Sequence, residues 1–254
     1  MIPTQILRVL STIRQFDVPV LLMGGQACVL YGAAEYSRDL DLAVHSTDAE
    51  VPRLSAAMEA LGATVIAVPP FDVSFLRRGH AVHFSVPDSN APPLRVDIMS
   101  HMRGVAPFEE LWTRRTTVVL SGDEAGADGT IDLMALEDLV TAKKTQRDKD
   151  WPMIRRLVDA SYDRGRDTAA TPDEIDFWLS ELRSPEFLVE AVRRFPREAR
   201  ASARTAVAVA LDGGDVSGAL ATEQAAEMTR DREYWLPLRR ELETLRHQAR
   251  RGST

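Results

Sequence analysis

Lysine is nearly missing from this chain. Its 31 basic residues divide into 28 arginines and three lysines, and Lys143, Lys144 and Lys149 fall within seven residues of one another. Acids outnumber bases, for a formal net charge of −7, which excludes a uniformly basic coat for nucleic acid but not a local patch. A single cysteine, Cys28, excludes an intramolecular disulfide and fits a reducing compartment. No apolar run approaches the ~20 residues a helix needs to cross a bilayer. The first residues, MIPTQILRVLSTIRQFD, read as an amphipathic helix without a signal-peptide pattern. A cytoplasmic protein without a membrane partner is expected.

What is present reads as two regions, an α/β unit over residues 1–164 and a mainly helical one over residues 165–254. Ile6, Leu7, Leu10 and Ile13 recur at helical spacing. Val18 to Met23 is a short apolar strand meeting Gly24-Gly25, and Gln26 to Gly32 a short helix. Leu40 to Val44 is a strand, and residues 48–62 a helix closed by Gly62. Residues 64–68, 73–76, 81–86 and 94–99 are predicted strands. A helix is predicted over Leu136–Arg147, and a second from Asp150 as N-cap. Beyond residue 165 only helical periodicity remains, including the stripe Trp235, Leu238, Leu242 and Leu245.

Three segments carry chemistry. In Leu22-Met23-Gly24-Gly25-Gln26-Ala27 a strand enters two glycines, which let a backbone approach a ligand closely. In Ser37-Arg38-Asp39-Leu40-Asp41 the two-residue period of a strand puts both carboxylates on one face. Adjacent carboxylates repel unless a cation lies between them, and hard divalent ions prefer such oxygen ligands. In Leu94-Arg95-Val96-Asp97-Ile98-Met99 one acid stands in an apolar strand, where a charge needs a partner. That strand could complete a three-carboxylate site, or Asp97 could face solvent beside Arg95. His80 and His83 have no Cys or His partners at zinc-like spacing.

Gly-Gly, about a dozen residues, Asp-Leu-Asp and a later strand with a third Asp resemble the signature of polymerase-β-like nucleotidyltransferases. With Tyr31-Gly32 and Ser37-x-Asp39-Leu40-Asp41, the pattern is most similar to the bacterial abortive-infection and toxin–antitoxin nucleotidyltransferases. The resemblance covers roughly residues 18–158. It implies a mixed α/β (α+β) sheet flanked by helices, followed by a mainly helical C-terminal region. It also implies Mg²⁺ or Mn²⁺ on Asp39, Asp41 and Asp97, with Asp97 accepting the nucleophile's proton.

The implied activity moves an NMP from an NTP, such as ATP, to a hydroxyl acceptor, an RNA 3′ end or a protein. A cognate antitoxin is the implied partner. The alternative is a catalytically weak nucleotide-binding or partner-binding module on the same fold. Gly24, Gly25 and Ser37 would hold phosphate oxygens. Relatives carry arginine at the position of Glu35 and threonine at that of Ser37, so Arg38 is expected to supply the missing positive charge. Lys143 and Lys144, which continue the inward stripe Leu136, Leu139 and Val140, are expected to meet the triphosphate. Arg193, Arg194, Arg197, Arg200 and Arg204 recur at helical spacing as a solvated face or a contact for RNA phosphate.

The acidic pattern predicts that Asp41→Asn abolishes Mn²⁺ binding measured by calorimetry while the protein stays folded. Unchanged affinity would remove the metal site.

Overall fold

A computed structural model describes residues 3–120 and 129–252; residues 1, 2, 121–128, 253 and 254, which the expected regions also span, lie outside it. The chain forms two compact units. One comprises Met1–Leu30, Ala34–Leu139 and Trp235–Thr254; the other comprises Tyr31–Ala33 and Val140–Tyr234. These bounds differ from a single division at residue 165. Among the described residues no helix is long and apolar enough to cross a membrane.

The first unit contains α1 (Thr4–Gln15), β1 (Val20–Met23), α2 (Gly24–Leu30), β2 (Leu40–Val44), α3 (Glu50–Ala60) and β3 (Thr64–Val65). Then come α4 (Val73–Arg77), β4 (Val82–Val86), β5 (Leu94–Met99), α5 (Phe108–Thr113), β6 (Thr116–Val119) and β7 (Thr130–Leu133). The seven strands form one mixed sheet in the order β3-β4-β5-β2-β1-β7-β6. β1 and β2 run antiparallel, and β2 and β5 run parallel. Alternation does the sorting: Leu40, Leu42, Val82, Phe84, Val96 and Ile98 are at most 3% exposed. The alternate residues Asp41, His83, Ser85 and Asp97 are half-buried on the opposite face.

Two predicted elements change here. Val73–Leu76 is not a strand but part of α4. The Asp72 carboxylate accepts a hydrogen bond from the Ser74 backbone N–H at 2.8 Å and nucleates the turn, overriding the β-like side chains of Val73 and Phe75. The helix predicted to reach Arg147 is α6 (Leu136–Ala142), ending five residues sooner. Downstream, Asp150 does stand at the N-cap position of the next helix, but its carboxylate makes no cap hydrogen bond and instead accepts from the side chains of Thr145 and Arg147. It sits in a 3₁₀ turn (Asp148–Asp150) that runs straight into α7 (Trp151–Gly165). Gly62 does close α3, with φ of 66°.

After α7, the second unit holds α8 (Pro172–Glu181), α9 (Pro185–Arg194), α10 (Pro196–Ala201), α11 (Thr205–Leu211) and the first part of α12 (Val216–Gly252). Thr171 and Glu174 form a reciprocal capping box at the start of α8. Its core is aromatic: Tyr162 meets Trp178 edge to face, with ring centroids 5.3 Å apart. Both rings are fully buried, and the Tyr162 hydroxyl donates to Glu190 at 3.3 Å.

Burial, with the Glu190 charge adding to it, pushes the Tyr162 phenol up from 10.0 to about 12. A group whose folded pKa is raised contributes stability that is present below its unfolded value and lost as pH rises through the folded one. Tyr162 therefore contributes below pH 10 and loses that contribution between pH 10 and about 12. In an ultraviolet titration one tyrosine of the four should ionise late, and Tyr162→Phe should abolish that step and flatten the alkaline loss of stability.

Candidate carboxylate site on the first unit

The site begins with register. Met23 of β1 pairs with Asp41 of β2, Asp41 with Asp97 of β5, and Asp97 with His83 of β4. Lateral partners in a sheet share a face, so Asp41 and Asp97 stand side by side beside the end of β1. Asp39 immediately precedes β2 and is exposed, whereas Asp41 and Asp97 are half-buried.

The glycine turn fits against this row. Gly24 has φ of 66°, and a Cβ there would lie 1.9 Å from the Asp41 Oδ2. A Cβ on Gly25 would lie 2.3 Å from the Ser37 Oγ. The Gly25 N–H donates to the Asp41 Oδ2 at 3.3 Å, and the buried Gln26 amide donates to the Ser37 carbonyl at 2.8 Å. The turn thus packs its bare backbone onto Asp41 and Ser37 and fixes both. Arg38 is exposed next to Asp39.

Arg95 and His83, given no role in the site from the sequence, also belong to this face. Arg95 donates to Asp97 through Nε at 2.8 Å and Nη2 at 3.1 Å, and the His83 Nδ1 lies 2.8 Å from the Asp97 Oδ1. Burial raises the Asp97 pKa, but the hydrogen bonds from His83 and Arg95 outweigh it and hold the carboxyl below its ordinary range. Asp97 is therefore ionised at neutral pH. The hydrogen-bonded Asp97 carboxylate in turn raises the Arg95 guanidinium, with Asp39 and Asp41 adding to the effect. The two-residue spacing of Arg95 and Asp97 was a readable signal; the His83 pairing needed the β4–β5 register.

An all-oxygen set on one sheet face, with a cradle that only glycine leaves open, suits Mg²⁺ or Mn²⁺. Among the described residues no three acidic, His or Cys side chains yet converge as a ligand cluster. Both Asp97 oxygens are engaged by Arg95.

The lysines stand differently from expectation. Lys143 and Lys144 follow α6 in a turn, off any helical stripe. Lys143 lies 3.8 Å from the Asp150 carboxylate and Lys144 pairs with Glu181, all four side chains at most 15% exposed. Acids of their own unit are thus within reach of both ammonium groups. The arginine stripe is also broken. Arg193 and Arg194 end α9, Arg197 and Arg200 sit on α10, and Arg204 is mostly buried against Glu223 at 3.0 Å. A cavity of about 1090 Å³ lies within the helical unit, lined in part by Lys144, Arg183, Arg204 and Glu223. These charges are paired inside the unit.

No family model matches the chain, and no curated protein matches it. A solved structure, ANT(2″)-Ia in complex with adenylyl-2″-tobramycin, is similar at 14% identity. The match covers 77% of this chain and 97% of that one, with a TM-score of 0.36. At that level of overlap the functional reading rests on the geometry of the carboxylate face.

Gly24→Ala should be costlier than Gly32→Ala. Both positions have positive φ, 66° and 80°, but a Cβ on Gly32 meets nothing within 4 Å. The shared backbone strain is about 1–2 kcal/mol, and only Gly24→Ala adds overlap with Asp41. Denaturant unfolding of both variants measures the difference, and equal losses would contradict the close packing.

Proposed function

We propose that this protein is a metal-dependent nucleotidyltransferase that moves an NMP from an NTP to a hydroxyl acceptor. The observation that carries the reading is the β2–β5 register, which sets Asp41 beside Asp97, with Asp39 two residues before Asp41 and the glycine turn against Asp41. Asp39, Asp41 and Asp97 together would hold Mg²⁺ or Mn²⁺. When bound, such an ion neutralises triphosphate charge and lowers the pKa of an acceptor hydroxyl.

The residues divide the rest of the work. Gly24 and Gly25 leave room for phosphate oxygens, Ser37 offers a hydroxyl, and Arg38 offers an exposed cation. The acceptor oxygen attacks the α-phosphorus, the bond to the bridging oxygen breaks, and pyrophosphate leaves with the electron pair. The acceptor proton passes to Asp97. A carboxylate held below its ordinary pKa is a weak base, so Asp97 orients the hydroxyl and hands the proton to solvent water without retaining it. Lys143 and Lys144, neutralised within their own unit, take no part in this reading.

RNA 3′ ends and protein hydroxyls are the acceptors proposed, and a toxin–antitoxin or phage-defence setting, with a cognate antitoxin as partner, is the biological role. The hold of Arg95 and His83 on Asp97 favours the second reading, a nucleotide-binding module without turnover.

Incubation with each α-³²P-labelled NTP, Mg²⁺ or Mn²⁺, and total RNA or protein separates the two. The enzyme reading expects label in one acceptor fraction, with release of pyrophosphate. Asp39→Asn or Asp41→Asn should lower that transfer by about 10²–10³-fold, the scale of removing one pre-organised electrostatic group. Metal-dependent NTP binding without transfer to any acceptor would favour the module.

A further inference from the structure

Arg95 has no part in the reaction just described, yet it holds Asp97 and feels the charges of Asp39 and Asp41. It stands two positions before Asp97 on β5, so the two side chains leave the sheet on one face. Continuing the β2–β5 register one residue past Leu40–Val96 brings Asp39 alongside Arg95. A half-exposed arginine on a strand usually extends its head into water. This one folds back onto a carboxylate that is 15% exposed while remaining 44% exposed itself. Its Nε and Nη2 engage both Asp97 oxygens, and Nη2 also lies 3.1 Å from the His83 Nδ1.

We propose that Arg95 is the resident counter-cation of the carboxylate face, holding Asp97 until a divalent ion displaces its guanidinium. This rests on the metal-dependent reading of the same face. The physical ground is competition for lone pairs. A two-pronged guanidinium–carboxylate contact is among the stronger charge-assisted pairs, and the oxygens it occupies are those a metal ion would use. Three neighbouring carboxylates without any cation would repel one another, so a built-in cation keeps the face ordered at the expense of metal affinity. Arginine suits this role better than lysine, because its fork covers both oxygens and its charge persists at any working pH.

The test is Mn²⁺ titration by calorimetry on the full chain, with thermal unfolding as a check on folding. Arg95→Gln should bind Mn²⁺ more tightly than the parent by on the order of tenfold, the equivalent of one charge-assisted contact no longer displaced. Arg95→Lys, which keeps the charge and loses the fork, should fall between them, and it carries the test if Arg95→Gln fails to fold. Arg38→Gln removes the same charge from beside Asp39 and should tighten binding less. Equal or weaker binding by the Arg95 variants overturns the proposal while leaving the metal site intact. Equal tightening by Arg38→Gln also overturns it, since net charge alone would then account for the effect. Absence of Mn²⁺ binding in the parent and in every variant overturns both the proposal and the metal reading.

Discussion

Asp41 has no room for a side chain beside it. Its Oδ2 occupies the place where a Cβ on Gly24 would stand, and that contact ties the end of β1 to the start of β2. The left-handed backbone at Gly24 aims the chain into α2 and turns the Gly25 N–H onto the same oxygen. Once Asp41 is fixed, register does the rest. The parallel pairing with β5 sets Asp97 beside it, and the antiparallel pairing of β4 with β5 sets His83 beside Asp97. A slip of one residue would send every member of the row to the apolar face, where Leu40, Leu42, Val96 and Ile98 are fully buried.

That dependence explains which parts were legible in the sequence. β2 and β5 were readable to the residue, because short apolar alternation with a turn on either side specifies both the strand and its faces. Period two alone put Asp39 and Asp41 on one strand face, whereas β2 begins at Leu40 and only Asp41 is paired within the sheet. The neighbourhood of Asp97 does not follow from a local period: it depends on strand order, a long-range property. Local chemistry also won over pattern. Asp72 turned a β-like segment into α4, and Asp150 gathered Thr145, Arg147 and Lys143 where a helical stripe was expected. Helical spacing predicted a continuous arginine face near residue 200, but Phe195 and Pro196 divide it between two helices. The segments forming β6, β7 and α5 carried no strong period and went unassigned.

The charges of the two units serve different ends. In the helical unit Lys144, Arg183 and Arg204 meet Glu181 and Glu223 at low exposure. Breaking such a pair costs more than forming it gains, so these residues specify how their helices pack. On the sheet unit Asp41 and Asp97 share one face, with Asp39 just before β2 and Arg95 folded onto Asp97. Their arrangement is costly for packing alone and becomes reasonable once a divalent cation is part of the account. The burial of Lys143 and Lys144 is therefore accounted for by acids of their own unit, while the proposed chemistry rests on the Asp-Leu-Asp and Asp97 segments.

The central claim is that Asp39, Asp41 and Asp97 share a divalent ion. Anomalous diffraction from crystals grown with Mn²⁺ and a non-hydrolysable NTP locates that ion directly. The account predicts a manganese peak bridging Asp39 and Asp41 and reaching Asp97, with the Arg95 guanidinium withdrawn from the Asp97 oxygens. Nucleotide bound with manganese elsewhere, or an Arg95–Asp97 contact unchanged under a fully occupied peak, would contradict it.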